Sequence, residues 1–200
     1  MAMVEAPALK HRGAPSRQAR NGRRTLLVLA AVMLAPIIAS YAVYYMFPRE
    51  PRANYGLLLP TGPAPAIAGT RPDGSPFHLE DLRGRWVMLA SGNGDCDAAC
   101  ERKLYATRQA RTMQGKEQDR VVRAWFVLDD TAPSAALLAR HPGLIVVRVP
   151  VTALANLPGG AGPIYVIDPL GNLVLRYPDD SDIKGIARDL ARVLMASRIG

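Results

Sequence analysis

The two cysteines of this chain, Cys96 and Cys100, lie four residues apart in one short stretch, SGNGDCDAAC, over residues 91–100. The stretch follows an apolar run over residues 86–90 that is typical of a buried strand, and it precedes residues 101–114, whose pattern is typical of a helix. A strand that ends in a glycine-rich turn and leads two thiols to the start of a helix predicts thiol chemistry. The two cysteines are therefore the candidate functional residues.

The spacing of the cysteines favours a reactive pair over a structural crosslink. On a regular helix, residues four apart have Cβ atoms ~5–6 Å apart, whereas a disulfide needs a Cβ separation of about 4 Å. A non-helical turn at Cys96 would close this gap, and a pair held in such a turn near solvent is easily reduced. In this redox interpretation, Cys96 is the exposed attacking thiol and Cys100 is the resolving thiol.

Three functions of the pair are open at this point. The first is thiol–disulfide exchange with another protein. The second is binding of Cu(I), which prefers soft ligands such as the thiolates of Cys96 and Cys100. The third is a static disulfide in a redox-inert module that only docks a partner.

The first 47 residues predict a membrane anchor. Residues 1–24 form a disordered leader with six basic residues and one acidic residue, and residues 25–47 follow without a charge. At ~1.5 Å per residue, this uncharged helix would reach ~34 Å, enough to cross a hydrocarbon core of about 30 Å. Pro36 lies within the span, where a kink is tolerated. A cleaved signal peptide is the alternative, which bulky side chains at the far end of the span disfavour.

The asymmetry of charge predicts the topology. Because the basic residues precede the span, the positive-inside rule places the N-terminus in the cytoplasm and the C-terminal domain outside, in the periplasm if the membrane is a bacterial inner membrane. Disulfides persist in such an oxidising compartment. The same asymmetry argues against nucleic-acid binding, because most of the net charge of +8 lies in the leader and not on the folded domain.

The rest of the chain predicts a tether and one domain. Residues 48–64 are rich in proline and glycine and predict a tether, and residues 65–200 predict the domain. Within the domain the elements follow in the order strand, helix, strand, helix, strand, hairpin, helix. This alternation predicts an α/β fold with a mixed central sheet and flanking helices. Two polar groups predict solvated surface: the acids Asp129 and Asp130, and the basic run Arg102, Lys103, Arg108 and Arg111.

Four stretches of the domain resemble thioredoxin-fold proteins and, within that fold, the Sco/SenC family. They are the lead-in GSPFHLEDLRGRW over residues 74–86, the Cys96-x-x-x-Cys100 spacing, the Gly162-Pro163 pair, and the hairpin YVIDPLGN over residues 165–172. The resemblance covers roughly residues 65–195. It implies a thioredoxin-like fold and a membrane-anchored role in cytochrome c oxidase assembly. The implied partner is an oxidase subunit or another periplasmic thiol or copper protein.

The resemblance also implies site residues. The Gly162-Pro163 pair resembles the cis-proline loop that faces the thiols of thioredoxins, and a cis Pro163 would leave backbone groups free to pair with a substrate polypeptide. Sco proteins bind copper through two cysteines and a histidine just before the hairpin, but residues 156–163 of this chain, NLPGGAGP, contain no histidine. Of the three histidines, His11, His78 and His141, only His78 is a candidate replacement, and only if its strand reaches the site.

Together these observations predict a membrane-anchored, thioredoxin-like protein. Its predicted function is thiol–disulfide exchange or thiol maintenance during assembly of the oxidase copper site, with Cys96, Cys100 and Pro163 as site residues. A Sco-type Cu(I) chaperone, with copper on Cys96 and Cys100, is the first alternative. A redox-inert docking module is the second.

Overall fold

The computed structural model describes residues 17–46 and 54–197, which belong to two compact units, residues 1–51 and residues 52–200. The first unit contains one helix, α1 (Arg17–Met46), which continues through Pro36. Its segment Gly22–Val43 is long and apolar enough to cross a membrane. The helix begins before the predicted span, so residues 17–24 are helical and not part of a disordered leader. Residues 1–16 of that leader lie outside the described residues.

The second unit is built on a sheet of eight strands, in the order β1-β8-β7-β4-β5-β6-β2-β3. The strands are β1 (Leu57–Pro63), β2 (Ala68–Thr70), β3 (Pro76–His78), β4 (Trp86–Gly92), β5 (Val121–Val127), β6 (Leu144–Arg148), β7 (Ile164–Ile167) and β8 (Asn172–Tyr177). The central strands β4, β5 and β6 are parallel, and the other pairs are antiparallel. The helices of this unit are α2 (Ala98–Thr112), α3 (Ala135–Arg140) and α4 (Ile183–Ala196). This is the mixed sheet with helices that the sequence predicts, and from β4 onward the strands and α-helices follow in the predicted order.

The two faces of the sheet are covered differently. Side chains alternate along each central strand, so Val87 and Leu89 of β4 lie in one cluster and Met88 lies in another on the opposite face. The Met88 face is covered by α2, α3 and α4, which contribute apolar residues to its two clusters. The other face is covered by short 3₁₀ turns over Leu79–Leu82 and Val151–Leu154. The two cysteines and the three helices around them therefore lie on the same face of the sheet.

Each domain helix is capped by the residue that precedes it. Asp97 caps α2 by accepting from the Cys100 N–H at 2.9 Å, and Ser134 caps α3 by accepting from the Leu137 N–H. Asp182 caps α4 through the Gly185 N–H. Side-chain oxygens at this position satisfy backbone donors that have no partner within the helix. The Asp97 cap matters most here, because it fixes the start of α2 at the cysteines.

Strand β1 corrects the prediction of a tether over residues 48–64. It pairs antiparallel with β8 at the edge of the sheet, with an irregularity between Leu58 and Gly62. An edge strand tolerates its prolines because only one of its sides must be hydrogen-bonded. The segment just before it is held by Asp189 of α4, whose carboxylate accepts from the N–H groups of Tyr55 and Gly56 at 3.0 and 2.7 Å. Residues 47–53 lie outside the described residues.

Candidate functional site

Cys96 and Cys100 form a disulfide at the start of α2, with their Cα atoms 5.1 Å apart. Helix α2 begins at Ala98, three residues before the predicted start, so Cys100 lies in the first helical turn and Cys96 lies outside the helix. Cys96 has a φ of 44°, in the left-handed region that non-glycine residues rarely adopt. This is the non-helical turn that the spacing of the cysteines predicts.

Both sulfurs are largely buried, which corrects the prediction of an exposed Cys96. Each cysteine is only 5% exposed. Together they form a cluster with apolar side chains of β4, β5, α2 and α3, which are Ala90, Leu104, Trp125, Val127 and Leu137. Most of the surface of both cysteines is therefore shielded from solvent.

Asp129 holds the turn from the end of β5. Its carboxylate accepts from the Gly94 N–H at 2.8 Å and from the Thr131 N–H at 3.3 Å. The Gly94 hydrogen bond is the largest of the effects that lower the pKa of Asp129 below its usual range. A Cβ atom on Gly94 would lie 1.8 Å from the Thr131 carbonyl oxygen, so only glycine fits where the two loops touch. Asp129 was predicted to lie in a solvated turn, and its role in the site was missed.

Lys103 is a second site residue that the sequence did not reveal. It was predicted to lie on a solvated face, but it is 7% exposed. Its ammonium group donates to the carbonyl oxygen of Ser91 at 3.0 Å and to that of Gly162 at 2.9 Å, and it lies 3.7 Å from a carboxylate oxygen of Asp179. Its position three residues after Cys100 on α2 turns its side chain toward the sheet. Lys103 thus joins the end of β4 to the loop before β7.

The end of β4 lies between residues that contact Lys103 and the disulfide. Ser91, whose carbonyl oxygen binds Lys103, is followed by Gly92. A Cβ atom on Gly92 would lie 3.2 Å from the sulfur of Cys100 and 3.7 Å from Nε1 of Trp125. The ammonium group, the sulfur and the indole therefore flank the same two residues of β4. A thiolate formed at Cys100 would lie in the first turn of α2, whose N-terminus stabilises negative charge, while the capping carboxylate of Asp97 opposes it. The Lys103 ammonium group, bound to Ser91 at the same end of β4, adds a positive charge to this region.

The loop that carries Pro163 lies against the same end of β4. The hydroxyl of Ser91 donates to the carbonyl oxygen of Ala161, and Lys103 binds the carbonyl oxygen of Gly162, the residue before Pro163. The hydroxyl of Tyr165 holds the loop from the other side, donating to the carbonyl oxygen of Gly160 at 2.7 Å. The described residues contain no cis peptide bond, so the cis form of Pro163 on which pairing with a substrate backbone depends is not present in them. The direct carbonyl contacts with α2 and β4 hold the loop in place with a trans bond.

Neither histidine within the described residues, His78 or His141, completes a metal site at the disulfide. His78 belongs to β3, the outermost strand, separated from β4 by β5, β6 and β2, so its strand does not reach the site. His141 follows α3 and is buried. The described residues contain no group of three or more histidine, cysteine, aspartate or glutamate side chains that could hold a metal. After reduction, the thiolates of Cys96 and Cys100 would be a two-sulfur donor set, which suits Cu(I).

Solved structures with the same fold include several Sco proteins. Apo Sco1 of Thermus thermophilus has a TM-score of 0.56 and 23% identity, covering 72% of this chain and 96% of its own. Copper-bound ScoI of Bradyrhizobium japonicum has a TM-score of 0.52 and 19% identity, with coverage of 66% and 99%. BsSco, a member of the Sco family of cytochrome c oxidase assembly proteins in which a disulfide switch has been identified, has a TM-score of 0.53 and 14% identity, with coverage of 73% and 99%. The domain therefore has a thioredoxin-like fold of the Sco type.

Family models match both units of the chain. Residues 15–46 match the family described as "Transmembrane-like, N-terminal domain", and this match agrees with the apolar helix α1 in indicating a membrane anchor. Residues 86–197 match the family described as "Transmembrane-like, thioredoxin-like, C-terminal domain". No curated protein sequence matches the chain. With its disulfide at the start of α2 and its anchor helix, the chain belongs to this family of transmembrane-like, thioredoxin-like proteins.

Proposed function

We propose that this protein is a membrane-anchored thiol–disulfide exchange protein that acts on another protein outside the cytoplasm. The observation that carries the proposal is the left-handed conformation of Cys96, with a φ of 44°, in the disulfide with Cys100. A non-glycine residue in this region costs on the order of 1–3 kcal/mol. We infer that Cys96 relaxes when the disulfide is reduced, so that this strain favours reduction. Backbone strain at Cys96 would serve no purpose in a static crosslink.

The exchange follows from the surroundings of the two sulfurs. A partner thiolate attacks the sulfur of Cys96, the disulfide bond breaks, and its electron pair leaves with the sulfur of Cys100 as a thiolate. Lys103 and the N-terminus of α2 stabilise this leaving group. A second partner thiolate then attacks the mixed disulfide and releases Cys96. The partner leaves with a disulfide, and this chain holds the two electrons as a dithiol.

The same steps in reverse give thiol maintenance. The reduced pair donates its two electrons to a disulfide of the partner and becomes oxidised, and another dithiol protein must then reduce it again. The structural likeness to Sco proteins supports a partner in cytochrome c oxidase assembly, with the thiols of a copper site as the substrate. In this proposal α1 crosses the inner membrane with its N-terminus in the cytoplasm, and the domain works in the periplasm.

The test is the redox equilibrium of the full chain in phosphatidylcholine nanodiscs. The protein is equilibrated in glutathione buffers of graded ratio, and the reduced fraction is trapped with a maleimide that shifts its mobility on a gel. Exchange proteins have potentials of about −120 to −270 mV, whereas structural disulfides lie below about −300 mV. We expect a value in the first range. A potential below about −300 mV, or no exchange of the native protein, would exclude the exchange function and leave Cu(I) delivery and the docking module.

Cu(I) delivery is the second candidate, supported by the two-sulfur donor set and by the copper-bound ScoI structure of the same fold. Here copper is cargo, held by Cys96 and Cys100 after reduction. The reduced full chain is titrated anaerobically with Cu(I) against a chelator of known affinity, with Cys96→Ser as the control. One-to-one binding that is lost in the variant supports this candidate. Binding no tighter than that of a small dithiol excludes it.

A further inference from the structure

A concave surface lies directly beside the disulfide. It is a groove of about 580 Å³ between the outer face of α2 and the C-terminal end of α3, and we call it the α2–α3 groove. Its lining residues are Ala98, Glu101, Arg102, Tyr105, Arg108, Arg140 and His141. Ala98 lies between Cys96 and Cys100 in the chain. The groove therefore starts at the turn that carries the disulfide.

The groove has more cations than its own acids neutralise. Its single carboxylate, Glu101, is paired with Arg140, whose Nη2 lies 2.5 Å from Oε1. Arg108 donates to the carbonyl oxygen of Arg140 and lies 5.7 Å from the ring centroid of Tyr105, which is 49% exposed. The side chain of Arg102 makes no hydrogen bond or ion pair with any described residue. A free guanidinium and an exposed ring are thus available to a ligand.

Two buried side chains near the groove, Arg123 and His141, lie close to other positive charges. Arg123 is 2% exposed, its Nη1 has no partner among the described residues, and burial together with Arg111 and Arg108 lowers its pKa to about 10. The Nδ1 atom of His141 also lacks a partner in the described structure. Burial, and then the charges of Arg123, Arg108 and Arg140, lower the pKa of His141. After burial, the charges of these three arginines are the next largest causes of the lowered pKa, as expected where positive charge is in excess.

We propose that the α2–α3 groove docks an acidic segment of the partner protein, next to the partner cysteine that exchanges with the disulfide. This inference rests on the proposed exchange function and names the chemistry of its partner. Carboxylates of the segment would pair with Arg102 and Arg108, and the Tyr105 ring would cover its backbone. Arginine and tyrosine are the residue types that most often dominate binding energy at protein interfaces.

A polypeptide fits this surface better than a membrane does. The cations line a concave groove that begins at Ala98, so an occupant with the width of one extended chain leaves the disulfide turn accessible. A flat layer of headgroups over the same cations would cover the turn and block exchange. Complementary charge would also accelerate the encounter with the partner, and this acceleration would fall with ionic strength.

The test compares two dithiol peptides with the full chain in neutral phosphatidylcholine nanodiscs. One peptide has four glutamates before its cysteine pair, and the other has glutamines at the same positions. We expect the acidic peptide to reduce the disulfide at least tenfold faster at low salt, and this advantage to disappear at high salt. In Arg102→Glu the two peptides should react at equal rates. The matched control is Arg188→Glu, since Arg188 is exposed on α4 and does not line the groove.

Binding is measured separately from exchange, by fluorescence anisotropy of the same peptides with serine in place of cysteine. If the acidic peptide binds but no peptide exchanges, docking stands and the exchange function fails. If both peptides exchange at equal rates with the unmodified protein, exchange stands and the docking proposal is overturned. An equal loss in Arg102→Glu and Arg188→Glu would also overturn it. So would Arg102-dependent binding of phosphatidylglycerol vesicles without binding of the acidic peptide, which would assign the groove to a membrane.

Discussion

The ammonium group of Lys103 donates to the carbonyl oxygen of Gly162 at 2.9 Å, which joins the helix of Cys100 to the loop of Pro163. Lys103 is buried, so this cation is fixed between the end of β4 and the loop. A fixed positive charge favours the thiolate form of a nearby cysteine.

Replacing Lys103 by methionine tests this role. Methionine keeps most of the buried volume but leaves the carbonyls of Ser91 and Gly162 without their donor, so we expect a loss of about 1–3 kcal/mol in the free energy of unfolding. Because the Cys100 thiolate also loses its cation, the disulfide should become roughly tenfold harder to reduce, or about 30 mV for a two-electron couple. Glutathione equilibration measures this shift, which a purely structural lysine would not cause. Lys184→Met on the exposed side of α4 is the control and should change neither value.

Gly94 should not tolerate a side chain. In Gly94→Ala the new Cβ atom would lie 1.8 Å from the carbonyl oxygen of Thr131, which is backbone and cannot move without the whole loop. We expect a loss of roughly 1–3 kcal/mol in the free energy of unfolding and faster reduction of the disulfide by dithiothreitol, because the turn is pushed off Asp129. Urea unfolding and a gel-shift assay of reduction measure the two effects. Gly62→Ala, whose Cβ atom would lie 3.9 Å from its nearest neighbour, should behave like the unmodified protein.

The stabilisation of the turn by the Asp129 carboxylate should be lost in acid. Its pKa is lowered in the folded protein, chiefly by the Gly94 N–H, from an ordinary value of 3.8. The stabilisation by its carboxylate is thus fully present above that ordinary value and is lost as the pH falls through the lower folded value. We expect the unmodified protein to unfold at a higher urea concentration than Asp129→Ala at pH 5 to 7, and the difference to shrink in acid below 3.8. A difference that stayed constant in acid would contradict the role of this carboxylate.

The sequence reveals the parts of this fold that depend on local pattern. The apolar run over residues 86–90 lies in β4, where the pattern predicts a buried strand, because central strands have strong local signals. The turn at Cys96 was also predictable, since the geometry of a disulfide across four residues requires it. The Pro/Gly-rich composition hid β1, which is formed through pairing with β8 and contacts with Asp189.

The sequence does not show which charged side chains are buried. Lys103 and Arg102 are neighbours in one basic run, yet Lys103 lies under the loop before β7 and Arg102 lies in an open groove. The two residues differ in burial because they lie on different sides of α2 relative to the sheet. The sequence of α2 is too weakly amphipathic to show which side faces the sheet. Asp129 is similar, because its partner Gly94 lies 35 residues away in the chain.

Asp189 of α4 uses its carboxylate to hold Tyr55 and Gly56, the segment just before β1. Its carboxylate is fully buried and accepts from the N–H groups of Tyr55 and Gly56 and from the hydroxyl of Tyr177 at 3.4 Å. Asp189→Ala would leave these buried donors without an acceptor, so we expect a loss of roughly 2 kcal/mol or more in the free energy of unfolding.

The same change should loosen β1 before the rest of the domain unfolds. Limited proteolysis of the full chain should then cut the segment before Leu57 faster than in the unmodified protein. The redox equilibrium of the disulfide should stay the same, because Cys96 and Cys100 belong to a different cluster from the α4 residues around Asp189. Asp180→Ala removes an exposed carboxylate at the start of the same region and is the matched control. Equal cleavage in both variants would show that Asp189 does not hold β1 in place.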